Sequence, residues 1–214
     1  MTENVILCGD CLELMKQLPD GCVDAIITDP PYGIKRSHGL TGARTFNHKK
    51  EKKIELRYYD DNWDNQRPDK IYFDEILRIG KTILIFGGNY FADLLPQSTH
   101  WIVWDKQQTM PTFSDAELVW TNIRRSSVKI KVCQYNGLLG KEITRYHPTQ
   151  KPLELMKWIV HTYSRPGDLI LDPFAGSGTT LVAAKQLGRK YLGIELNPDY
   201  VKIAEDRLRQ EEMF

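Results

Sequence analysis

Hydrophobic and polar positions follow two different periods along this chain. Val5-Ile6-Leu7-Cys8 is a short apolar run stopped by Gly9-Asp10, and Val23-Asp24-Ala25-Ile26-Ile27-Thr28 is a longer one stopped by Asp29-Pro30-Pro31-Tyr32. Both read as buried strands. Thr82–Phe86 (stopped by Gly87-Gly88), Trp101–Trp104, Glu117–Trp120, Asp168–Leu171 and Tyr191–Ile194 complete a set of seven, with Glu117–Trp120 expected antiparallel at the sheet edge. Helical spacing fills the intervals: Leu12 to Leu18, Ile71 to Ile79, a short helix near Tyr90–Leu95, Leu153 to Val160, and Leu181 to Leu187. A last helix is capped by Asn197, with Pro198 in its first turn. Strands alternating with helices predict an α/β fold around a mainly parallel seven-stranded sheet with one antiparallel strand.

The periodicity disappears from Gly33 to about Asp69, where glycines, Asn47 and a lysine cluster predict a long loop. The chain therefore reads as a single domain, 1–214, with a basic loop insertion at about 33–69 and a weakly patterned stretch at about 105–146. At 214 residues it can bury a full core, and 41% apolar with 27% charged residues is a soluble composition. No apolar run reaches the roughly 20 residues that span a bilayer, and the first residues lack a signal-peptide pattern, so the expected location is the cytoplasm. The net charge of +1 conceals two basic segments. Lys35 to Tyr58 carries eight basic against two acidic residues, and Thr121 to Arg145 six against one. Such segments attract phosphate backbones, although most lysine runs are plain solvated surface.

Candidate chemistry clusters at strand ends. Two prolines fix φ after Asp29, so a carboxylate and the Tyr32 ring sit on a stiff turn at the edge where open α/β sheets bind ligands. A lone Asp-Pro-Pro-Tyr is as readily an ordinary strand-ending turn. A second Asp-Pro turn, Asp172-Pro173-Phe174-Ala175-Gly176-Ser177-Gly178-Thr179-Thr180, carries glycines that let backbone approach a ligand where a helix begins. It lacks the lysine of a phosphate-binding P-loop. Glu195 ends the next strand, 17 positions after Gly178, where an acid accepts ribose hydroxyls. Acidic Asp172 and the missing third glycine favour a cationic nucleoside such as S-adenosylmethionine over a dinucleotide. Cys8 and Cys11 have CxxC spacing, but no second CxxC or histidine pair completes a zinc site, and no metal is expected.

Asp172–Thr180, Asp29–Tyr32 and His147-Pro148-Thr149-Gln150-Lys151-Pro152 together resemble the DNA amino-methyltransferases. Their order, with Asp-Pro-Pro-Tyr first and the glycine turn near the C-terminus, is similar to the beta class of that family, a circularly permuted Rossmann-like methyltransferase fold. Gly9-Asp10 and Ile194–Pro198 also fit. The region that usually houses target recognition is only about 40 residues long here.

The resemblance implies S-adenosylmethionine as cofactor, double-stranded DNA as partner and adenine N6 as the methylated atom. Asp29 and the Pro30 carbonyl, on the turn stiffened by Pro31, would accept the amino hydrogens and localise its lone pair. Tyr32 would stack on a flipped base. Asp10 and the Cys11 backbone would meet the cofactor adenine, Glu195 the ribose, and Asp29 is also expected to contact the cofactor. Asp172, Phe174, Ala175, Gly176, Ser177 and Gly178 would line the methionine portion, with Thr149 and Lys151 reaching its carboxylate. His147 is as readily a turn residue. Lys35, Arg36, Lys49, Lys50, Lys52, Lys53, Arg124, Arg125 and Lys129 are the expected nucleic-acid contacts, and a homodimer stays open. Cytosine N4 is the alternative target, although Asp at position 29 tilts towards adenine. A catalytically idle DNA-binding subunit, or methylation of RNA or a protein amide, are further alternatives. Cytosine C5 chemistry needs a Pro-Cys nucleophile that this chain lacks.

Overall fold

In a computed structural model, which describes residues 2–34, 66–108, 114–135, 146 and 150–210, the apolar runs assemble into one eight-stranded sheet. Its strands are β1 (Val5–Cys8), β2 (Val23–Thr28), β3 (Gly80–Phe86), β4 (His100–Asp105), β5 (Ala116–Thr121), β6 (Ser127–Val132), β7 (Leu169–Asp172) and β8 (Lys190–Glu195). The order is β1-β8-β7-β2-β3-β5-β4-β6. All pairings are parallel except those of β5, which is antiparallel to both β3 and β4.

Two expectations need correction. The sheet has eight strands, because β6 pairs in parallel with β4 from His100↔Ser127 to Asp105↔Val132. Its Val128-Lys129-Ile130-Lys131-Val132 alternates with period two, yet most of it is exposed, so its positive charge masks the alternation. Nor is β5 at the sheet edge. Val119, Trp120 and Thr121 are buried because β5 lies between β3 and β4.

Among the described residues, five helices accompany the sheet: α1 (Cys11–Met15), α2 (Lys70–Ile79), α3 (Leu153–Tyr163), α4 (Thr179–Gln186) and α5 (Pro198–Gln210), with a 3-10 turn at Gly88–Phe91. Alternate residues of the central strands serve different layers. Ala25, Ile27, Leu84 and Phe86 share a core with Leu155, Met156, Ile159 and Val160 of α3 and Leu181 to Ala184 of α4. Ile26, Ile83 and Ile85 have the other parity and are equally buried, as are Phe73, Ile76 and Ile79 of α2. Asn197 caps α5 as expected, its Oδ1 accepting from Asp199 N at 2.9 Å.

The chain divides into two compact units, Met1–Pro30 with Asp69–Phe214, and Pro31–Pro68. In the second, Gly33 has φ +72°, and a Cβ there would meet Arg67 N at 2.9 Å. The basic loop residues 35–65, together with His147, Pro148 and Thr149, lie outside the described residues. No helix among the described residues is long and apolar enough to cross a membrane.

This topology places the site. From β7 the chain runs outward to β8, and from β2 it runs the other way to β3. The adjacent ends of β2 and β7 are therefore the switch point, where an open sheet leaves a crevice.

Candidate active site

Asp29 and Asp172 stand at the carboxyl ends of these two neighbouring strands. Between them, Thr28 Oγ1 donates to Asp172 Oδ1 at 2.8 Å. Asp172 also accepts from Phe174 N at 3.2 Å and from Thr180 Oγ1 at 2.6 Å. The carboxylate thus braces the strand end against both the following turn and the start of α4. Burial pushes it up to about 6, against the opposing pull of the hydrogen bonds from Thr180, Thr28 and Phe174. Its oxygens are engaged inside the protein.

The glycine turn is built by φ angles that glycine tolerates, +50° at Gly176 and +77° at Gly178. Gly178 caps α4, and a Cβ there would lie 2.7 Å from Ala204 Cβ in α5. Ala175 N donates to Ile194 O, and Gly176 N to Glu195 Oε2 at 2.8 Å. The other Glu195 oxygen accepts from Asn197 N at 2.8 Å. Burial raises the Glu195 carboxyl above its ordinary range. From the far side, Arg207 donates to Ser177 O at 2.6 Å and to Thr179 Oγ1 at 3.0 Å. The structure therefore brings Asp172, Phe174, Ala175, Gly176, Ser177, Gly178 and Glu195 onto one continuous strand-turn-helix edge. Gly178→Ala is expected to weaken cofactor affinity by about tenfold or more, through backbone strain and the clash with α5. Calorimetric titration checks this, and unchanged affinity would separate the turn from the ligand.

Asp10 follows β1, whose partner is β8, and so lies at the same edge. It caps α1, its Oδ1 accepting from Leu12 N at 2.8 Å. Cys11 is buried, and burial with the nearby Asp10 charge pushes its thiol up to about 12, the environment of an inert thiol. No cluster of metal-ligating side chains exists among the described residues.

Lys151 was expected at a cofactor carboxylate, and the structure gives it carboxylate partners from the protein. Its Nζ lies 2.5 Å from Asp29 Oδ2 and 3.3 Å from Glu117 Oε2. Glu117 is in turn paired with Lys106 at 2.7 Å. Lys106, Glu117, Thr28 and Arg207 went unassigned in the sequence. For Lys106 and Glu117 the available signal is position: each is a charged residue at an end of an apolar strand.

The basic residues separate. Arg124 and Arg125 join the end of β5 to the start of β6, opposite Leu84 and His100, and so sit at the amino edge of the parallel strands. A six-residue strand spans roughly 20 Å, which sets them that far along the sheet from the Asp29 edge. Lys129 lies in β6, at the sheet border. The other six expected contacts, Lys35, Arg36, Lys49, Lys50, Lys52 and Lys53, are outside the described residues.

Known proteins are similar to this chain in sequence or fold. Residues 107–206 match the N6/N4 methyltransferase family model, described as DNA methylase. The type II methyltransferase M.HinfI of Haemophilus influenzae is 28% identical over 255 aligned positions, covering 97% of this chain and 68% of its own length. Among solved structures, the M1.HpyAVI–SAM complex superposes with a TM-score of 0.60 at 24% identity, covering 95% of this chain and 98% of that one. The cytosine-N4-specific PvuII DNA methyltransferase gives 0.64 at 17% identity, covering 97% and 86%.

Proposed function

We propose that the chain is a DNA amino-methyltransferase that transfers a methyl group from S-adenosylmethionine to the N6 amino group of adenine in double-stranded DNA, a reading supported by its similarity to the DNA methylase family model and to type II methyltransferases. The observation that carries this reading is the pairing of two different carboxylates at the switch point. Asp172, with the glycine turn and Glu195, suits a cationic nucleoside, while Asp29 ends the adjacent strand with its side chain partly exposed. When bound, the cofactor supplies an electrophilic methyl group on a sulfonium.

The chain's own residues account for the rest. An exocyclic amine is a weak nucleophile because its lone pair is delocalised into the ring. Asp29 accepts one N–H and the Pro30 carbonyl the other, which localises the lone pair on nitrogen. Holding the reactants in line contributes up to about 7–11 kcal/mol, so no covalent enzyme nucleophile is required. Lys151 donates to Asp29 Oδ2 and sets a positive charge beside this acceptor. Tyr32 is assigned to the flipped base by its place in the motif. On the cofactor side, Asp10 and Cys11 are assigned to the adenine, Glu195 to the ribose, and Phe174 to Gly178 to the methionine portion. Thr149 is assigned to the cofactor carboxylate by its motif.

Incubation with methyl-labelled S-adenosylmethionine and duplex DNA, followed by hydrolysis to nucleosides, tests the reading. Label in N6-methyldeoxyadenosine is the expected result. Label in N4-methyldeoxycytidine would move the target to cytosine, and label in RNA alone would change the substrate. No transfer with any DNA would sink the enzyme reading.

The loop lysines are assigned to the duplex backbone. Neutralising Lys49, Lys50, Lys52 and Lys53 is expected to flatten the dependence of log affinity on log salt by up to about 0.9 per lost phosphate contact. The Arg124→Ala/Arg125→Ala double variant is expected to leave that slope unchanged, given its place at the opposite sheet edge. Fluorescence anisotropy across a salt series reads both, and the reverse pattern would relocate the DNA.

A further inference from the structure

We propose that Glu117 and Lys106 are positioning residues for methyl transfer, holding Asp29 through Lys151 as an oriented anion at the reactive edge. The inference rests on Asp29 being the acceptor of the target amino group. Four side chains from four separate segments form an alternating chain of charge. Lys106, which follows β4, donates to Glu117 Oε1 at the start of β5 at 2.7 Å. Glu117 Oε2 lies 3.3 Å from Lys151 Nζ, and Lys151, just before α3, donates to Asp29 Oδ2 at 2.5 Å. The side chains of Lys106, Glu117 and Lys151 are exposed by only 5, 14 and 9%. Aromatic faces flank the ammonium groups, Phe86 at 5.2 Å from Lys151 and Trp104 at 5.0 Å from Lys106.

Charges so far from water persist only when paired and hydrogen-bonded. Two ammonium groups and two carboxylates balance here, and the terminal member is the one carboxylate expected to face substrate. Lys151 alone on Asp29 would be a single flexible stem. Glu117 fixes that stem from the opposite side, and Lys106 fixes Glu117. The charge states support the geometry. Burial disfavours the Lys151 ammonium, but Asp29 and Glu117 more than offset it and hold the group above the ordinary lysine range. Burial likewise disfavours ionised Glu117, yet Lys151 and Lys106 hold its carboxyl below the ordinary range. Among the described residues, the charged groups that act on this chain include Asp29 after β2, Lys106 after β4, Glu117 from β5 and Lys151 before α3, and Asp172 of β7 acts on it through the Asp29 charge.

The test compares wild type, Glu117→Gln and Glu117→Asp in methyl transfer across pH, with lysine 15N NMR of the ligand-free proteins. Glu117→Gln is expected to lower kcat by about tenfold while the KM values for cofactor and DNA stay within about threefold. Its alkaline limb is expected at lower pH, because Lys151 keeps one carboxylate partner instead of two. The NMR titration of Lys151 should move down with it. Glu117→Asp, which keeps the charge, should recover most of kcat. An active wild type with unchanged kcat and Lys151 titration in Glu117→Gln would overturn the inference and leave the methyltransferase reading intact. Equal losses in the Asp and Gln variants would overturn it in favour of packing. An inactive wild type removes both. Should Glu117→Gln fail to fold, Lys106→Gln cuts the chain one link earlier and is judged by the same three readouts.

Discussion

Asp29→Asn is expected to reduce methyl transfer by about 100- to 1000-fold, the range for losing one preorganised hydrogen-bonding group at a reacting centre. The same variant should bind S-adenosylmethionine within about tenfold of wild type, because most of the residues assigned to the cofactor lie at or just beyond the ends of β1, β7 and β8. Asparagine keeps the volume of Asp29 but removes its charge. The amide oxygen can still accept one bond, but it no longer balances the charge of Lys151, whose ion pair with Glu117 remains. Asp29→Ala goes further by removing the acceptor altogether, and transfer should then become undetectable. Single-turnover measurement with prebound cofactor isolates the transfer step. Near-normal single-turnover rates in either variant would mean that another group orients the amine.

Asp172→Asn is expected to act in opposite directions on stability and on cofactor binding. Burial raises the Asp172 carboxyl from 3.8 to about 6 in the folded protein. A carboxyl whose folded pKa is raised adds stability below its unfolded pKa, and that stability is lost as pH rises through about 6. At pH 7.5 the ionised group therefore costs the ligand-free fold on the order of 3 kcal/mol. A neutral isostere that keeps the Thr28 and Thr180 contacts should raise thermal stability at pH 7.5 and flatten its dependence on pH. A cationic ligand reverses the sign, since it favours the carboxylate. Wild-type affinity for S-adenosylmethionine should weaken by about tenfold between pH 7.5 and pH 5, as Asp172 takes up a proton. Asp172→Asn should bind more weakly at pH 7.5 and lose that pH dependence. Calorimetric unfolding and titration at the two pH values check both arms. An undiminished pH dependence of binding in the variant would shift the titration to Glu195, whose carboxyl burial also raises.

Together the two carboxylates show how one sheet edge divides its labour. Asp172 accepts only from its own strand-turn-helix unit and from Thr28 next door, so it stays braced and buried. Asp29 ends a strand at a double proline and is held by a lysine from a distant segment, leaving its side chain partly open to the crevice.

The amino-acid sequence by itself determined the α/β alternation, the stiff Asp29–Tyr32 turn, the glycine turn and the acid at Glu195. These are local features, set by period, proline geometry and tolerance of positive φ. It also carried the cap of α5, since Asn197 and its recipient are two residues apart. Other features depended on which segments meet. β6 is an exposed, lysine-rich border strand whose partner, β4, lies more than twenty positions away, so its alternation showed no burial. Glu117–Trp120 read as an edge because its sequence does not reveal the strand beyond it. The basic segment at Thr121–Arg145 looked uniform, yet the turn of the chain put Arg124 and Arg125 at the edge away from Asp29. The buried charge chain is the clearest case. Lys106, Glu117, Lys151 and Asp29 are isolated charges in one dimension, and only the crossing of β2, β4 and β5 brings them within ion-pairing distance.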